Sequence, residues 1–490
     1  MKKLFLISLI LIFSIGIKGV TRYISPSGND TSGDGSTEYP YKTFEKACTV
    51  ALPGDLVICK DGVYLPANTT WHTIINCKGT SGAYITFRSE TKYGAIIDGT
   101  IGVEESGIGL AIAYGSEYLR FENFTIRDCD GDAVNINHEP NISSYIVISG
   151  CKIYDICRRD LVEDYGRNGL YIGKKQHHIT VEKCLFYNIG RTGPDDYRLT
   201  KDHAVYTHSA ETSGDVAYSN TFAYNVIFFN SGNAFNIGSN NDLIVNNVVA
   251  WSNENTVGSI CFITNEGVGG DNTTVANNIF YQPPTDYPCV ITTYSTPAGY
   301  TNWSVKNNIV YGGRMWYSST SETVAAMDGG NYGLTDCENG EVNPLFVSAI
   351  RANAPTVDFS LQGGSAAIDH GVSVGQTTDF AGNPITGLPD IGAYEYDGEM
   401  ATYYNVQASQ NFQRNNCEAG YVGSIVAYVI AANTYSSIVS QQEADDLALA
   451  DIAANGQAYA NTNGTCTLIT GVRALTSGGK VIVKDGHLLY

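Results

Sequence analysis

The sequence predicts an all-β chain: a right-handed single-stranded parallel β-helix, followed by a small α+β module. Three observations carry the prediction. A short strand phrase recurs along the middle of the chain. A second phrase follows each copy and stacks asparagines in one column. The composition, with 52 glycines, 33 tyrosines and only 29 lysines plus arginines in 490 residues, suits strands and turns better than helices.

The first phrase reads DAVNINH (132–138), NGLYIGK (168–174), HAVYTHS (203–209) and NAFNIGS (233–239). Its apolar or small pairs, Val134/Ile136, Leu170/Ile172, Val205/Thr207 and Phe235/Ile237, alternate with polar residues. That is the period of a strand with one buried face, and it predicts strands at 133–137, 169–173, 204–208 and 234–238. The second phrase reads ISGCKIYDI, VEKCLFYNI, FAYNVIFFN, IVNNVVAWS, VANNIFYQP and VKNNIVYGG. It aligns Asn225, Asn247, Asn278 and Asn308 at spacings of 22, 31 and 30 residues. The next column is expected to hold Cys151, Cys184, Val226, Val248, Ile279 and Ile309. One such unit cannot bury its apolar face alone, whereas stacked units can, and a repeated turn asparagine suits a side-chain amide ladder. The leucine–asparagine signature of the competing leucine-rich solenoid is absent.

The N-terminal stretch MKKLFLISLILIFSIGIKG has two lysines, an apolar run and small residues, and reads as a secretory signal peptide over residues 1–19. It is too short to span a bilayer comfortably, and no later stretch is apolar enough to do so. The expected location is therefore extracellular or at the cell surface. The formal net charge is −20, and loss of Lys2, Lys3 and Lys18 takes it to about −23, which disfavours nucleic acid and anionic membranes as partners. No CxxC or HExxH spacing points to zinc. Cys151 and Cys184 read as core packing, whereas Cys417 and Cys466 bracket the C-terminal module and could pair there.

The stretch YISPSGNDTSGDGSTEYPYKTFEKACTVALPGDLVICKDGVY (23–64) resembles the opening of pectate-lyase-like β-helix proteins among secreted bacterial carbohydrate enzymes. The resemblance implies a Pro-Tyr-Lys-Thr turn and a short helix capping the first coil. NPLFVSAIRANAPTVDFSLQGGSAAIDHG and DFAGNPITGLPDIGAYEY, within 343–396, resemble the choice-of-anchor-type closing segment of bacterial β-helix proteins. Together the two matches imply a β-helix domain over 20–397 and secretion, and leave the reaction open. Residues 402–466 resemble a small module of unknown function attached to surface proteins of Bacteroidetes-like bacteria, with 467–490 as a tail. Helical periodicity is expected from Glu443 to Ala454 behind a Ser440 N-cap.

Charge points to a site. Residues 152–201 hold ten of the 29 cations, among them Arg158, Arg159, Arg167, Lys174, Arg198 and Lys201, while 202–305 holds none. The same window carries two insertions, DICRRDLVEDYGR and RTGPDDYRLTKD, and loops inserted at one level of a solenoid tend to share a side. A cationic cleft on an acidic protein concentrates anionic ligands, which favours uronate-containing polysaccharides; the competing reading is a solvated face of paired charges. If Val205 and Thr207 point inward, Tyr206 and His208 point outward, with Tyr171, Asn135 and Asn236 in the Tyr206 column and Gly173, Asn137 and Gly238 in the His208 column. The expected catalytic group is Tyr206, His208, Lys174, Lys201 and Asp202, with Arg158, Arg159, Arg167, Tyr171, Arg198, Asn135 and Asn236 binding substrate. Cations would neutralise the uronate carboxylate while other groups move the protons of a β-elimination. His203 reads as a turn residue, and His177 and His178 adjoin a turn.

Two alternatives stand beside this reading. Hydrolysis would use paired carboxylates, with Asp195, Asp196 and Asp202 on one loop and Glu163 and Asp164 on the other. Calcium held by the same acids would assist a lyase, although no metal is fixed by the sequence. A non-catalytic glycan-binding adhesin or spike is the second alternative. The arginine–histidine signature of chondroitinase-type β-helix lyases and the Asp-Pro-His motif of alginate epimerases are absent.

Overall fold

The computed structural model describes residues 19–65, 73–100, 107–137, 140–158, 166–191, 201–210, 212–252, 260–262, 270–281, 289–293, 303–312, 314–316, 334–335, 339–340, 342–351, 356–398, 402–437, 441–469, 482–484 and 487–489. The expected signal peptide, Arg159, Arg198, Ser440 and the loop acids Glu163, Asp164, Asp195 and Asp196 lie outside the described residues. The chain divides into two units, Met1–Asp397 and Gly398–Tyr490.

Among the described residues, three parallel sheets of 11, 9 and 10 strands build the solenoid of the first unit. Each coil supplies one strand to each sheet in turn, as Glu117–Glu122, Thr125–Arg127 and Val134–Ile136 do. This is the expected parallel β-helix. The first phrase stacks in register, with Val134 opposite Leu170, Leu170 opposite Val205 and Val205 opposite Phe235. These side chains, with Ile136, Ile172 and Ile237, are fully buried in one continuous apolar core. Alternation works because one side of every strand faces that core and the other faces outward.

The corner between the first and second sheets explains the second phrase. Asn123, Lys183, Tyr224, Asn246, Asn277 and Asn307 all take φ between 53° and 65°, the left-handed region that tolerates asparagine best after glycine, and Gly150 serves the same column. The next residue turns inward. Asn225 donates Nδ2–H to Asn247 Oδ1 at 3.0 Å, Asn247 to Asn278 at 2.9 Å and Asn278 to Asn308 at 3.0 Å, while each backbone N–H finds the same acceptor. The asparagine ladder is therefore present.

The cysteine alignment is corrected by one position. Lys152 pairs with Leu185 and Leu185 with Val226, so Cys151 and Cys184 stand in the asparagine column itself, not the one beside it. The Cys184 N–H donates to Asn225 Oδ1 at 2.9 Å, continuing the ladder. Its thiol meets the carbonyls of Glu182 and Ile148, in the positions where Asn247 Nδ2 meets those of Val245 and Phe222.

The Pro-Tyr-Lys-Thr turn leads into a helix, Phe44–Val50, N-capped by the Thr43 hydroxyl. Phe44 lies against Tyr64, Phe87 and Phe124 and closes the N-terminal end of the core. At the other end, residues 342–351 and 356–397 run back along the outer side of the asparagine corner. Asn246 Nδ2 donates to the Asp390 carbonyl and Asn277 Nδ2 to that of Val372, while Phe359 packs on Phe228 and Trp251. One segment thus ties several coils together.

In the second unit, Ala408–Gln413 and Ile425–Ile430 pair antiparallel. A helix over Gln441–Asn463 buries Ala444, Ala448, Ile452 and Ala460. It starts two residues earlier and ends more than two turns later than the periodicity predicts, and in the added turns Gly456 lets it approach Phe412 closely. Cys417 and Cys466 form a disulfide.

Candidate functional site

The third sheet presents its outward side chains as a column: Asn135 opposite Tyr171, Tyr171 opposite Tyr206, and Tyr206 opposite Asn236. The Tyr171 and Tyr206 rings stack in parallel at 5.6 Å between centroids, both half-buried. His208 stands edge-on to each, at 6.2 and 5.8 Å. Its Nδ1 lies 2.5 Å from the Ser209 carbonyl, which can only accept. Nδ1 is therefore the donor in this contact.

Behind this face runs a second polar ladder. Asp132 accepts from the Asn168 N–H and Nδ2, Asn168 Oδ1 accepts from the His203 N–H, and His203 Nδ1 accepts from the Asn233 N–H at 3.0 Å. His203 is therefore a ladder residue, as its turn column suggests, yet it also touches the site: its ring stacks on Tyr206 at 5.7 Å. Asn236 Nδ2 lies 2.8 Å from Nε2 while its buried Oδ1 has no partner among the described residues; with Nδ1 accepting, Nε2 must donate, so the amide is assigned with its oxygen turned towards the ring. Burial draws the His203 pKa down to about 3, so the ring is neutral. Burial also pushes the Asp132 carboxyl up, against the pull of Asn135 and Asn168.

Asp202 joins the described roots of the two insertions. Its carboxylate accepts from the backbone N–H of Arg167, which closes the first loop, at 3.0 Å. It also accepts from the N–H of Arg191, which opens the second, at 3.0 Å, and binds the Arg191 guanidinium. Arg158 donates from Nη1 to the Gly190 carbonyl at 2.8 Å. Gly190, at φ +97°, has no room for a Cβ against Asp202.

These contacts revise several sequence expectations. Asp202 is fully buried and saturated by its clasp, so it is a structural residue and not a catalytic one. Arg158 and Arg167 likewise hold the loop roots, the first by its side chain and the second by its backbone. Asn236 is buried against His203 rather than offered to a substrate. The glycines beside His208 are tightly packed: a Cβ at Gly173 would meet the Asn137 amide at 2.3 Å and one at Gly238 the Ser209 backbone at 2.3 Å. Lys174 and Lys201 are half-buried at the margin of the face, and Lys175 pairs with Asp215 at 2.8 Å. His177 and His178 are half-buried in an aromatic row with Tyr118, Tyr145 and Tyr218 that sequence reading missed. Among the described residues, no group of three or more His, Cys, Asp or Glu side chains could hold a metal ion, and no helix is long and apolar enough to cross a membrane.

Residues 403–467 match a family of unknown function, DUF5977, at the position where the module resemblance was expected. No curated protein matches the chain. Similar solved structures include pectate lyase Pel9A, at 17% identity and a TM-score of 0.49 over 78% of this chain and 98% of that one. Alginate lyase from Paenibacillus sp. str. FPU-7 matches at 15% and 0.36 over 55% and 83%. A GH136 lacto-N-biosidase from Eubacterium ramulus matches at 13% and 0.37 over 66% and 67%. At these identities the likeness is one of fold.

Proposed function

We propose that the protein is a secreted, polysaccharide-active β-helix protein that cleaves an anionic, uronate-containing chain by β-elimination on the outer face of its third sheet. The observation that carries this reading is the Tyr171–Tyr206 stack with His208 edge-on, set beside the roots of two cation-bearing loops. Lys174, with Arg159 and Arg198 on the loops, neutralises the uronate carboxylate and so acidifies the C5 proton. His208 Nε2 takes that proton. The C5–H electrons form the C4–C5 double bond, the C4–O4 bond breaks, and the Tyr206 hydroxyl returns a proton to the leaving oxygen. Secretion is supported by the N-terminal apolar run and by the Cys417–Cys466 disulfide, which belongs to oxidising compartments. We assign surface attachment to the C-terminal module.

Hydrolysis is the weaker reading, because Asp202 is withdrawn into an ion pair. The test is to incubate the purified protein with a panel of uronate-containing and neutral polysaccharides. β-Elimination gives new ultraviolet absorbance from the unsaturated uronate. New reducing ends without that absorbance would replace the lyase with a hydrolase, and binding without either product would make the protein an adhesin.

A further inference from the structure

We infer that Cys48 and Cys77 form a second disulfide, which pins the N-terminal cap helix to the coil below it. Cys48 lies in the cap helix Phe44–Val50, and Cys77 follows the first strand of the third sheet, Thr73–Ile75. Their sulfurs are 3.0 Å apart, closer than two thiols sit in van der Waals contact and about 1 Å from bonding distance. Both side chains are buried in the core cluster beside Phe44. Four other buried cysteines differ. Cys59, Cys129, Cys151 and Cys184 direct their thiols at backbone carbonyls, which is how isolated core thiols settle. Cys151 and Cys184 also neighbour each other, as in-register rungs of adjacent coils whose thiols face carbonyls of their own and of the neighbouring coil.

The Cys417–Cys466 disulfide in the other unit is an independent sign that the chain matures where thiols are oxidised. The electrons pass to a protein disulfide of the thiol-oxidase class. One cysteine thiolate attacks that disulfide and releases one thiol. The second cysteine then displaces the mixed disulfide, so two thiols become one S–S bond while the oxidant gains two electrons and two protons. Burial pushes the Cys48 thiol well above its ordinary pKa, which starves the folded state of the attacking thiolate. The bond is therefore made as the cap docks, before the helix covers it. It encloses one coil, from the strand Leu56–Cys59 to Thr73–Ile75, and it guards the end of the solenoid where an open core and sheet edge are most exposed.

The experiment uses full-length protein expressed into an oxidising compartment, alkylated after denaturation without reductant, digested and mapped by mass spectrometry. The expected result is a Cys48–Cys77 cross-linked peptide beside the Cys417–Cys466 one. Full alkylation of Cys48 and Cys77 in protein that retains the Cys417–Cys466 link would overturn the inference. A C417A/C466A variant adds a functional reading. Reductant should lower its Tm by several degrees, and a further C48A/C77A change should remove that sensitivity; a Tm indifferent to reductant would also overturn it.

Discussion

Arg191 and Asp202 form a two-bond ion pair, Nε to Oδ2 at 2.9 Å and Nη2 to Oδ1 at 2.8 Å, with neither side chain reaching solvent beyond 3%. Burial raises the Asp202 carboxyl even against the pull of Arg191. The pair therefore serves geometry more than net stability. It sets the spacing of two loop roots directly before the strand that carries Tyr206.

The first prediction follows from that burial. Asp202→Ala strands the Arg191 guanidinium without a counter-ion and releases the Arg167 and Arg191 N–H groups, so it should cost about 3–5 kcal/mol in denaturant unfolding. The double change Arg191→Met with Asp202→Leu should cost clearly less, since no charge is left behind. A double variant as unstable as the single one would show that the hydrogen bonds, and not the charges, matter.

The asparagine column gives a second prediction. Cys184 occupies a rung, with its thiol facing the same pair of carbonyl positions that the asparagine amides use. Cys184→Asn should extend the ladder by one rung and stabilise by roughly 1 kcal/mol, the usual net worth of an added hydrogen bond. Asn278→Ala, in contrast, removes the acceptor of the Asn247 backbone N–H and one of the three acceptors around its amide, and should cost about 1–3 kcal/mol by leaving that N–H unsatisfied. Thermal unfolding of the two variants checks both signs.

The fold was legible because burial repeats with the coil. Val134, Leu170, Val205 and Phe235 announce the strand, and the alternation correctly turns Tyr206 and His208 away from the core. The site was legible only in part. Doublets such as Asn246–Asn247 hide two jobs, a left-handed corner and an inward rung, so the cysteine column slipped by one. Asp202 reads as catalytic because a carboxylate beside cations is equally what a buried clasp requires. The stack of His203 on Tyr206 joins a turn residue to an outward strand residue, a relation that no strand periodicity encodes.

A third prediction concerns acid. His203 titrates near 3 in the folded state, below its ordinary value of about 6.5, so the unfolded chain binds a proton that the native one refuses. Its contribution is fully present above about pH 6.5 and is lost as pH falls towards 3, with a span on the order of 5 kcal/mol. His203→Asn suits the neighbouring rungs, which are Asn168 and Asn233, and removes the titration. Its Tm should fall less than the parent's between about pH 7 and about pH 4. An unchanged acid slope would mean that other groups govern it.

Buried Asp242 has the opposite sign. Burial raises it to about 7, against the hydrogen bonds it accepts from Ser239 and Asn220. Its native state holds a proton that the unfolded chain releases from about pH 4, so that stability is lost as pH rises towards 7. Asp242→Asn can still accept from Asn220 and carries no charge. It should therefore raise the Tm relative to the parent at about pH 8 and lose that advantage at about pH 4. A variant less stable at both would indicate that the charged form is needed.

The last prediction tests the face itself, on the premise that the protein is a lyase. His208 is half-buried and donates from Nδ1 to the Ser209 carbonyl, and the proposed base is its Nε2. His208→Ala should lower turnover by roughly 10²-fold or more while the Tm stays near the parent's, because the side chain is no part of the apolar core. Tyr206→Phe separates two roles of its ring. It keeps the stack with Tyr171 and His203 and removes only the hydroxyl. Turnover should fall with KM little changed if that hydroxyl protonates the leaving oxygen, whereas a rise in KM alone would make Tyr206 a platform. Lys174→Ala should raise KM, and more strongly at low salt, where charges act over longer distances. An active enzyme indifferent to His208→Ala and Tyr206→Phe would remove the chemistry from this face and send it to the loop carboxylates Asp195 and Asp196.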